Sequence, residues 1–463
     1  MARVTQVSSS ALTLQMQSQG LTSAQALAAA LRVDRSTVSR GLSLLGSQVL
    51  RVGAARSARY ALRRQVREAG SLWPLYRIDP TGRSHELGVL QAFHGGYLLE
   101  TSGREPTWFR QGYAGGVFPG LPFFLSDVRP QGFMGRATAR TQSAALGVPS
   151  DPRDWQDDDV LVYLLAQGDD LPGDCVLGER MLERALQRQT ATGLPPAIPE
   201  GARSERYVAM AQQAMAGGHA GSSAGGEQPK FTATVQAGHG EVRPVLVKFS
   251  PPRDTPAGRR WADLLAAEHL ALHVLAAHGE ETAQSVLIDA EPRRFLEITR
   301  FDRTGRHGRR GVVTLQAIEA GLLEEAVTDW PGAARAMEAA GLLTAADAGA
   351  LRRRWCFGQL IGNMDMHFGN ASVWFGDDEP FRLAPVYDML PMLWAPGAQG
   401  EVVPREFAPS PPLPGIRAEW HAVMPWAQEF WQRVQADGQI STEFRALAAG
   451  ANAAITAVQQ MFA

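Results

Sequence analysis

The stretch "GNMDMHFGNASV" places Asp365 and Asn370 five positions apart, and Asp388 in "PVYDML" follows 23 positions after Asp365. Phosphoryl transfer from ATP needs a carboxylate to take the proton of an attacking hydroxyl. It also needs oxygen ligands beside that carboxylate to hold a divalent cation against the phosphates. Protein kinases separate their catalytic Asp from a metal-binding Asn by the same interval. Asp365 is therefore the expected base, His367 the residue that orders its loop, and Asn370 and Asp388 the expected Mg²⁺ ligands. Zinc is the poorer match, because only one histidine, His367, is local.

The phosphate chain needs partners of its own. Of 45 basic side chains, only Lys230 and Lys248 are lysines. Where a plain surface charge suffices this chain uses Arg, so a retained Lys marks a place that wants a compact ammonium. Lys248 ends the predicted strand "PVLVKFS" and is expected on the phosphates. Ser222, Ser223, Ala224, Gly225, Gly226, Glu227 and Gln228 form a Gly/Ser-rich loop ahead of the strand "KFTATVQ". Its backbone N–H groups can face an anion closely. It lacks the Gly-Lys-Ser/Thr ending of a Walker A loop, and alone it reads equally well as a flexible linker. Lys230 closes this loop and either shapes it or touches phosphate. Glu268, inside the apolar helix "WADLLAAEHLALHVLAAHG", is either a solvated charge or the carboxylate that aims Lys248. Thr299 and Phe301 in "ITRFDR" stand where a two-lobed kinase passes its hinge, so both are expected at the nucleotide.

The elements that position these groups are spread over 463 residues, enough for several domains. Two distant cysteines argue against a disulfide scaffold and for a reducing cytoplasm. The start "MARVTQVSSS" lacks the apolar core of a signal peptide, and no apolar run is long enough to span a membrane. The expected partition is a DNA-binding head over 1–66, a β-rich kinase lobe over 67–300 and a mainly helical lobe over 301–463. In the middle, "LWPLYRI", "LGVLQAF", "GYLLET" and "TWFRQGY" read as strands, "GLPFFLSDVRPQGFMGR" as a loop packing aromatics, and "DDVLVYLLAQG" and "LGERMLERALQR" as helices.

Net charge is −2 overall but uneven: residues 1–70 hold ten arginines against Asp34 and Glu68. A basic head on an acidic body suggests nucleic acid. Its pattern predicts a helix over 21–31, a second over 35–45 capped by Asp34, and a hairpin from "VLRVG" and "RYAL". That is the layout of a winged helix-turn-helix. Arg35, Ser36, Thr37, Ser39 and Arg40 lie away from the apolar face of the second helix, and Arg56 and Arg59 sit at the wing, all suited to DNA. A small helical domain with a solvated basic face is the plainer alternative. Winged heads often read two half-sites, so a homodimer is expected.

Taken together, "SSAGGEQPKF", "LVKFS", "ITRFDR", "IGNMDMHFGNASV" and "PVYDML" resemble the motifs of the HipA family of bacterial serine/threonine kinase toxins, over roughly residues 70–450. The attached head is similar to the YjjJ-like branch. The resemblance implies an α+β, bilobal, protein-kinase-like fold with ATP and Mg²⁺ as cofactors. It implies autophosphorylation at Ser222, with Ser223 adjacent, and a bacterial protein substrate such as glutamyl-tRNA synthetase. The basic head on an acidic body suggests that the head represses its own operon and acts as a built-in antitoxin. Thr299 departs from the Glu common in the family's hinge, and Gly369 from the Lys common before the metal Asn. Two other readings stay open: a transcriptional regulator whose kinase-like domain senses nucleotide, and a small-molecule phosphotransferase.

Overall fold

A computed structural model describes residues 8–188, 197–217, 228–236 and 240–462. The head is three helices, α1 (Ser9–Gln19), α2 (Ala24–Leu31) and α3 (Arg35–Leu45), with a three-stranded sheet of β1 (Thr22–Ser23), β2 (Val49–Val52) and β3 (Arg59–Leu62). The helices close on an apolar cluster of Leu12, Met16, Leu27, Val38, Leu42 and Leu62. α1 was not anticipated from the sequence. Its Leu12 and Met16, four apart, share a face that a stripe so short barely betrays. Ser23 caps α2 by accepting from the Ala26 N–H at 3.1 Å. Asp34 stands at the N-cap of α3 but its side chain makes no capping bond. The hairpin β2–β3 does not stand free: Leu50, Val52 and Ala61 are buried against Phe93 and Leu98 of the next domain. The Arg64 guanidinium and the Tyr97 hydroxyl both donate to Asp158, locking the head onto that domain.

Residues 67–300, expected to form one β-rich lobe, hold two separate five-stranded sheets. The first is built from β4 (Leu72–Ile78), β5 (Ser84–Phe93), β6 (Gly96–Thr101), β7 (Val117–Phe118) and a later strand, β8 (Cys175–Leu177). Between β7 and β8 run α4 (Phe123–Ser126), α5 (Gly132–Leu146) and α6 (Asp157–Gln167), and α7 (Glu179–Gln187) follows β8. Two local expectations fail here. "TWFRQGY" is not a strand: Thr107–Arg110 form a single helical turn. Its neighbours Trp108 and Phe109 are both buried, which a strand with one buried face forbids. The Thr107 N–H donates to the Asp377 carbonyl and the Trp108 indole to the Gly376 carbonyl, so the turn serves a distant loop and not a sheet. "GLPFFLSDVRPQGFMGR", expected as a loop, supplies α4 and the start of α5.

The second sheet has the order β12-β13-β11-β10-β9, from β9 (Ile198–Pro199), β10 (Lys230–Gln236), β11 (Val242–Phe249), β12 (Ser285–Ala290) and β13 (Arg293–Thr299). α8 (Arg203–Gly217) covers one face and α9 (Pro256–Ala277) the other. Then come the small strands β14 (Arg303–Thr304), β15 (Gly308–Arg309) and β16 (Val312–Thr314), and the helices α10 (Leu315–Leu322), α11 (Trp330–Ala339) and α12 (Ala345–Leu360). Strands β17 (Ser372–Trp374) and β18 (Arg382–Leu383) precede the closing pair α13 (Arg417–Ala436) and α14 (Thr442–Phe462). In "FRLAPVY", the segment that leads to Asp388, only β18 is a regular strand. One continuous core runs from the first sheet through α9 into the helical body, including Trp108, Leu272, Phe357 and Trp431. The outer face of the second sheet has its own cluster around Tyr207, Phe231, Val247 and Phe295. The first sheet therefore packs as part of the helical body, while the second stands over it as a separate layer.

Candidate active site

β10 and β11 pair antiparallel with Lys230 opposite Lys248, so the two lysines of the chain present their side chains on the same face of the sheet. Behind that face lies α9. Its Glu268 is fully buried and takes both Lys248 ammonium bonds, at 2.6 and 2.7 Å. The second partner of Lys248 is Asp388. One ammonium thus joins three elements that lie up to 140 residues apart. Burial opposes the Lys248 charge, but the carboxylates of Asp388 and Glu268 outweigh it and hold the ammonium above its usual value. Burial opposes the Asp388 charge too, yet Lys248, with Lys230 nearby, draws its carboxyl down to about 2. Glu268 responds the other way, because burial pushes its carboxyl up against the pull of Lys248. Of the two carboxylates, Asp388 is the one held firmly ionised.

Asp388 adopts φ 52°, a left-handed conformation rare outside glycine. Asn363, buried in the turn after α12, holds it there: the Asn363 amide donates to the Asp388 carbonyl at 3.3 Å. The Asn363 side-chain oxygen accepts from the Asp365 N–H at 3.0 Å. One buried side chain therefore sets the relative position of both acidic loops. The Asn370 amide donates to the Asp365 carbonyl at 2.7 Å, closing the loop across the five-residue interval. His367 Nδ1 accepts from the Gly369 N–H at 3.0 Å, and the Trp330 indole donates to the His367 carbonyl at 3.2 Å. Its Nε2 lies 3.8 Å from an Asp365 oxygen. The Asp365 carboxylate itself is half exposed. Tyr387 donates to the Gly369 carbonyl at 2.9 Å and so ties the residue before Asp388 to the same loop.

Lys248 and Asp388 close one end of a cavity of about 390 Å³ between the second sheet and the helical body. Leu246, Ile298 and Val313 give it apolar walls, and Thr299 and Phe301 line it at the crossing between the two layers. Phe301 is packed edge-on against Trp374 and tilted against Tyr387. An apolar slot that ends in an ammonium and an ionised carboxylate suits a flat base with a phosphate chain. Mg²⁺ takes oxygen ligands and keeps several waters, so one or two protein ligands suffice. Asp388 is ionised, and the Asn370 amide nitrogen is spent on Asp365, which leaves its oxygen available. The residues present fit that ion. Among the described residues no group of His, Cys, Asp and Glu gathers in the manner of a larger metal cage.

Of the nucleotide-loop residues, Ser222, Ser223, Ala224, Gly225, Gly226 and Glu227 lie outside the described residues. Gln228 is within them, and its amide donates to the Phe249 carbonyl at the end of β11 at 3.2 Å. In the head, Arg35, Ser36, Ser39 and Arg40 are exposed on α3 and Thr37 is half-buried, with Arg40 leaning on Thr37 and the Ser36 carbonyl. Arg59 is exposed on β3. The Arg56 side chain lies outside the description. Sequence reasoning missed Asn363, whose signal was an Asx residue two positions before the candidate base. It also missed Glu297, which is buried on β13 and gathers Arg203, Arg243 and the Tyr207 hydroxyl, fastening α8 to the sheet.

Two family profiles match the chain: "YjjJ-like toxin, middle domain" over residues 69–186 and "HipA-like C-terminal domain" over residues 222–455. The chain belongs to the HipA-like toxins of the YjjJ type. It is 37% identical to Toxin YjjJ of Escherichia coli (strain K12) over 433 residues, covering 93% of this chain and 94% of that one. Among solved structures it is similar to HipA of the Shewanella oneidensis MR-1 toxin–antitoxin complex of HipA, HipB and operator DNA. The TM-score is 0.46 and the identity 14%, covering 73% of this chain and 84% of that one. A second likeness is to the Helicobacter pylori proinflammatory kinase CtkA, at TM-score 0.26 and 17% identity over 37% of this chain and 54% of that one. Among the described residues no helix is long and apolar enough to cross a membrane.

Proposed function

We propose that this chain is a Mg²⁺- and ATP-dependent serine/threonine protein kinase that acts as a toxin, joined to a DNA-binding head. The observation that carries the reading is the buried Lys248–Glu268–Asp388 triad at the end of an apolar cleft, with Asn363 setting the Asp365 loop beside it. Lys248 holds the phosphates of the nucleotide, and Glu268 keeps the ammonium in place. Asp365 accepts the proton of the attacking hydroxyl, and His367 braces its loop. Asp388 and the Asn370 oxygen hold Mg²⁺, which neutralises charge on the transferred phosphoryl group. Thr299 and Phe301 seat the base, the loop from Ser222 to Gln228 covers the phosphates, and Lys230 adds charge beside them. The substrate is a bacterial protein, of which glutamyl-tRNA synthetase is the first to test, and the chain phosphorylates itself at Ser222.

Labelled ATP with Mg²⁺ decides the matter. The parent chain is expected to transfer label to itself and to a lysate protein, and Asp365→Asn to lower that transfer roughly 10²- to 10⁴-fold while still binding nucleotide. Absence of any labelled protein with the parent chain overturns the kinase reading.

The head is read as a winged helix-turn-helix that binds operator DNA through Arg35, Ser36, Thr37, Ser39, Arg40, Arg56 and Arg59 and pairs as a homodimer on two half-sites. The basic exposed face of α3 supports this. The head rests on the first sheet through Phe93 and Leu98 and on α6 through Asp158, none of which lines the nucleotide cleft. Arg40→Ala is expected to weaken binding to the chain's own promoter fragment by roughly 1–3 kcal/mol in fluorescence anisotropy, with phosphotransfer unchanged. Unaltered DNA binding counts against α3 as the recognition helix.

A further inference from the structure

A second cavity, of about 370 Å³, lies beside the nucleotide cleft between α8, β10 and the β14–β15 hairpin. Asp170, Thr232 and Arg300 line both spaces. Its distinguishing feature is charge: Arg188, Arg206, Arg300, Arg303, Arg306 and Arg309 all line it. Three carboxylates answer them. Asp170 accepts from Arg300 at 3.2 Å and Arg303 at 2.8 Å. Asp302 accepts from the same two arginines at 3.0 and 2.7 Å. Asp169 pairs with Arg188, and also with Arg184 at 3.0 Å. No carboxylate among the described residues pairs with Arg206 or Arg306, which are exposed at the rim.

Arg309 supplies an independent sign. It is 5% exposed, and one of its terminal nitrogens donates to the Asp169 carbonyl at 2.6 Å. The other, also buried, has no hydrogen-bond partner. Burial and the neighbouring Arg303 hold its guanidinium down to about 10. A buried guanidinium with an idle donor, in the wall of a chamber with surplus positive charge, is a costly arrangement unless an anion completes it. Guanidiniums meet phosphate oxygens in pairs, so several arginines around one chamber favour a group with many such oxygens. The volume is that of a small-molecule site, too confined for a helix or a duplex.

We propose that this chamber binds a polyphosphate anion, as free pyrophosphate or as the phosphate chain of a nucleotide, at a site separate from the nucleotide cleft. Labelled pyrophosphate in equilibrium dialysis tests it on the full chain, with the cleft saturated by an adenosine analogue that carries no phosphate. One equivalent of label is expected to bind with the analogue in place. Arg206→Glu combined with Arg306→Glu, both at exposed positions, is expected to weaken that binding at least tenfold and to leave analogue binding unchanged. Arg309→Gln is expected to do the same from within. Unlabelled ADP that displaces the label identifies a nucleotide as the source, and displacement by pyrophosphate alone identifies the free anion. Absence of bound label beside the analogue, or full binding by the double variant, overturns the proposal. It stands apart from the kinase reading, because pyrophosphate binding is measured directly and needs no phosphotransfer.

Discussion

Lys248→Met is expected to abolish phosphotransfer and to cost roughly 3–5 kcal/mol of folding stability at neutral pH, because it leaves the fully buried Glu268 without its cation. Urea unfolding measures the loss. The sign of its pH dependence follows from Glu268. Burial raises its carboxyl above the ordinary range, so the folded state takes up a proton more readily than the unfolded chain. With Lys248 gone, the deficit is largest above that raised value and narrows as pH falls through it. Adding Glu268→Leu removes the stranded charge and fills its place with apolar surface. The double variant is therefore expected to recover most of the stability, as buried ion pairs exchanged for hydrophobic residues commonly do. It is not expected to recover activity. A single variant as stable as the parent, or a double variant that regains activity, refutes the assignment of Lys248 and Glu268.

Asp388→Asn is the counterpart that should leave the chain folded, at a smaller stability cost than Lys248→Met. Asparagine tolerates the left-handed backbone at φ 52°, and Lys248 keeps its two bonds to Glu268. Phosphotransfer is nonetheless expected to fall on the order of 10²- to 10³-fold, since charge neutralisation at the transferred group is lost. Excess Mg²⁺ should not restore it. Cooperative thermal unfolding at a midpoint above that of Lys248→Met, combined with that loss, separates a ligand role from a structural one; undiminished transfer removes Asp388 from the site. In the parent, Lys248 holds the Asp388 carboxyl at about 2. Its contribution to stability is therefore complete above the unfolded value near 4 and is lost as pH falls from there towards about 2. No acid limb of activity near pH 4 should arise from Asp388.

Much of this site is legible in the chain itself because kinase-type chemistry imposes spacing. Asp365 and Asn370 must close one short loop, and the Asn370–Asp365 bond spans that interval. Lys248 could be singled out because the chain discards lysine almost everywhere else. Strands such as Leu72–Ile78 and helices such as Pro256–Ala277 could be read because their apolar periodicity is long enough to rise above local noise. Thr107–Arg110 was misread because adjacent aromatics look like a strand until the distant Gly376 and Asp377 carbonyls capture them.

Composition and spacing alone pointed to phosphotransfer, to a candidate base and candidate metal ligands, and showed the basic character of the head. These depend on residue type and short intervals, which the chain carries without folding. Tertiary structure alone decided that the first sheet belongs with the helical body, that the hairpin of the head is buried against Phe93 and Leu98, and that Asn363 fixes both acidic loops. It also decided that Lys248 serves two carboxylates at once and that arginines from α7, α8 and the β14–β15 region surround one chamber. Such contacts join residues separated by tens to hundreds of positions, and which of many charged side chains meet is settled only by how the layers pack.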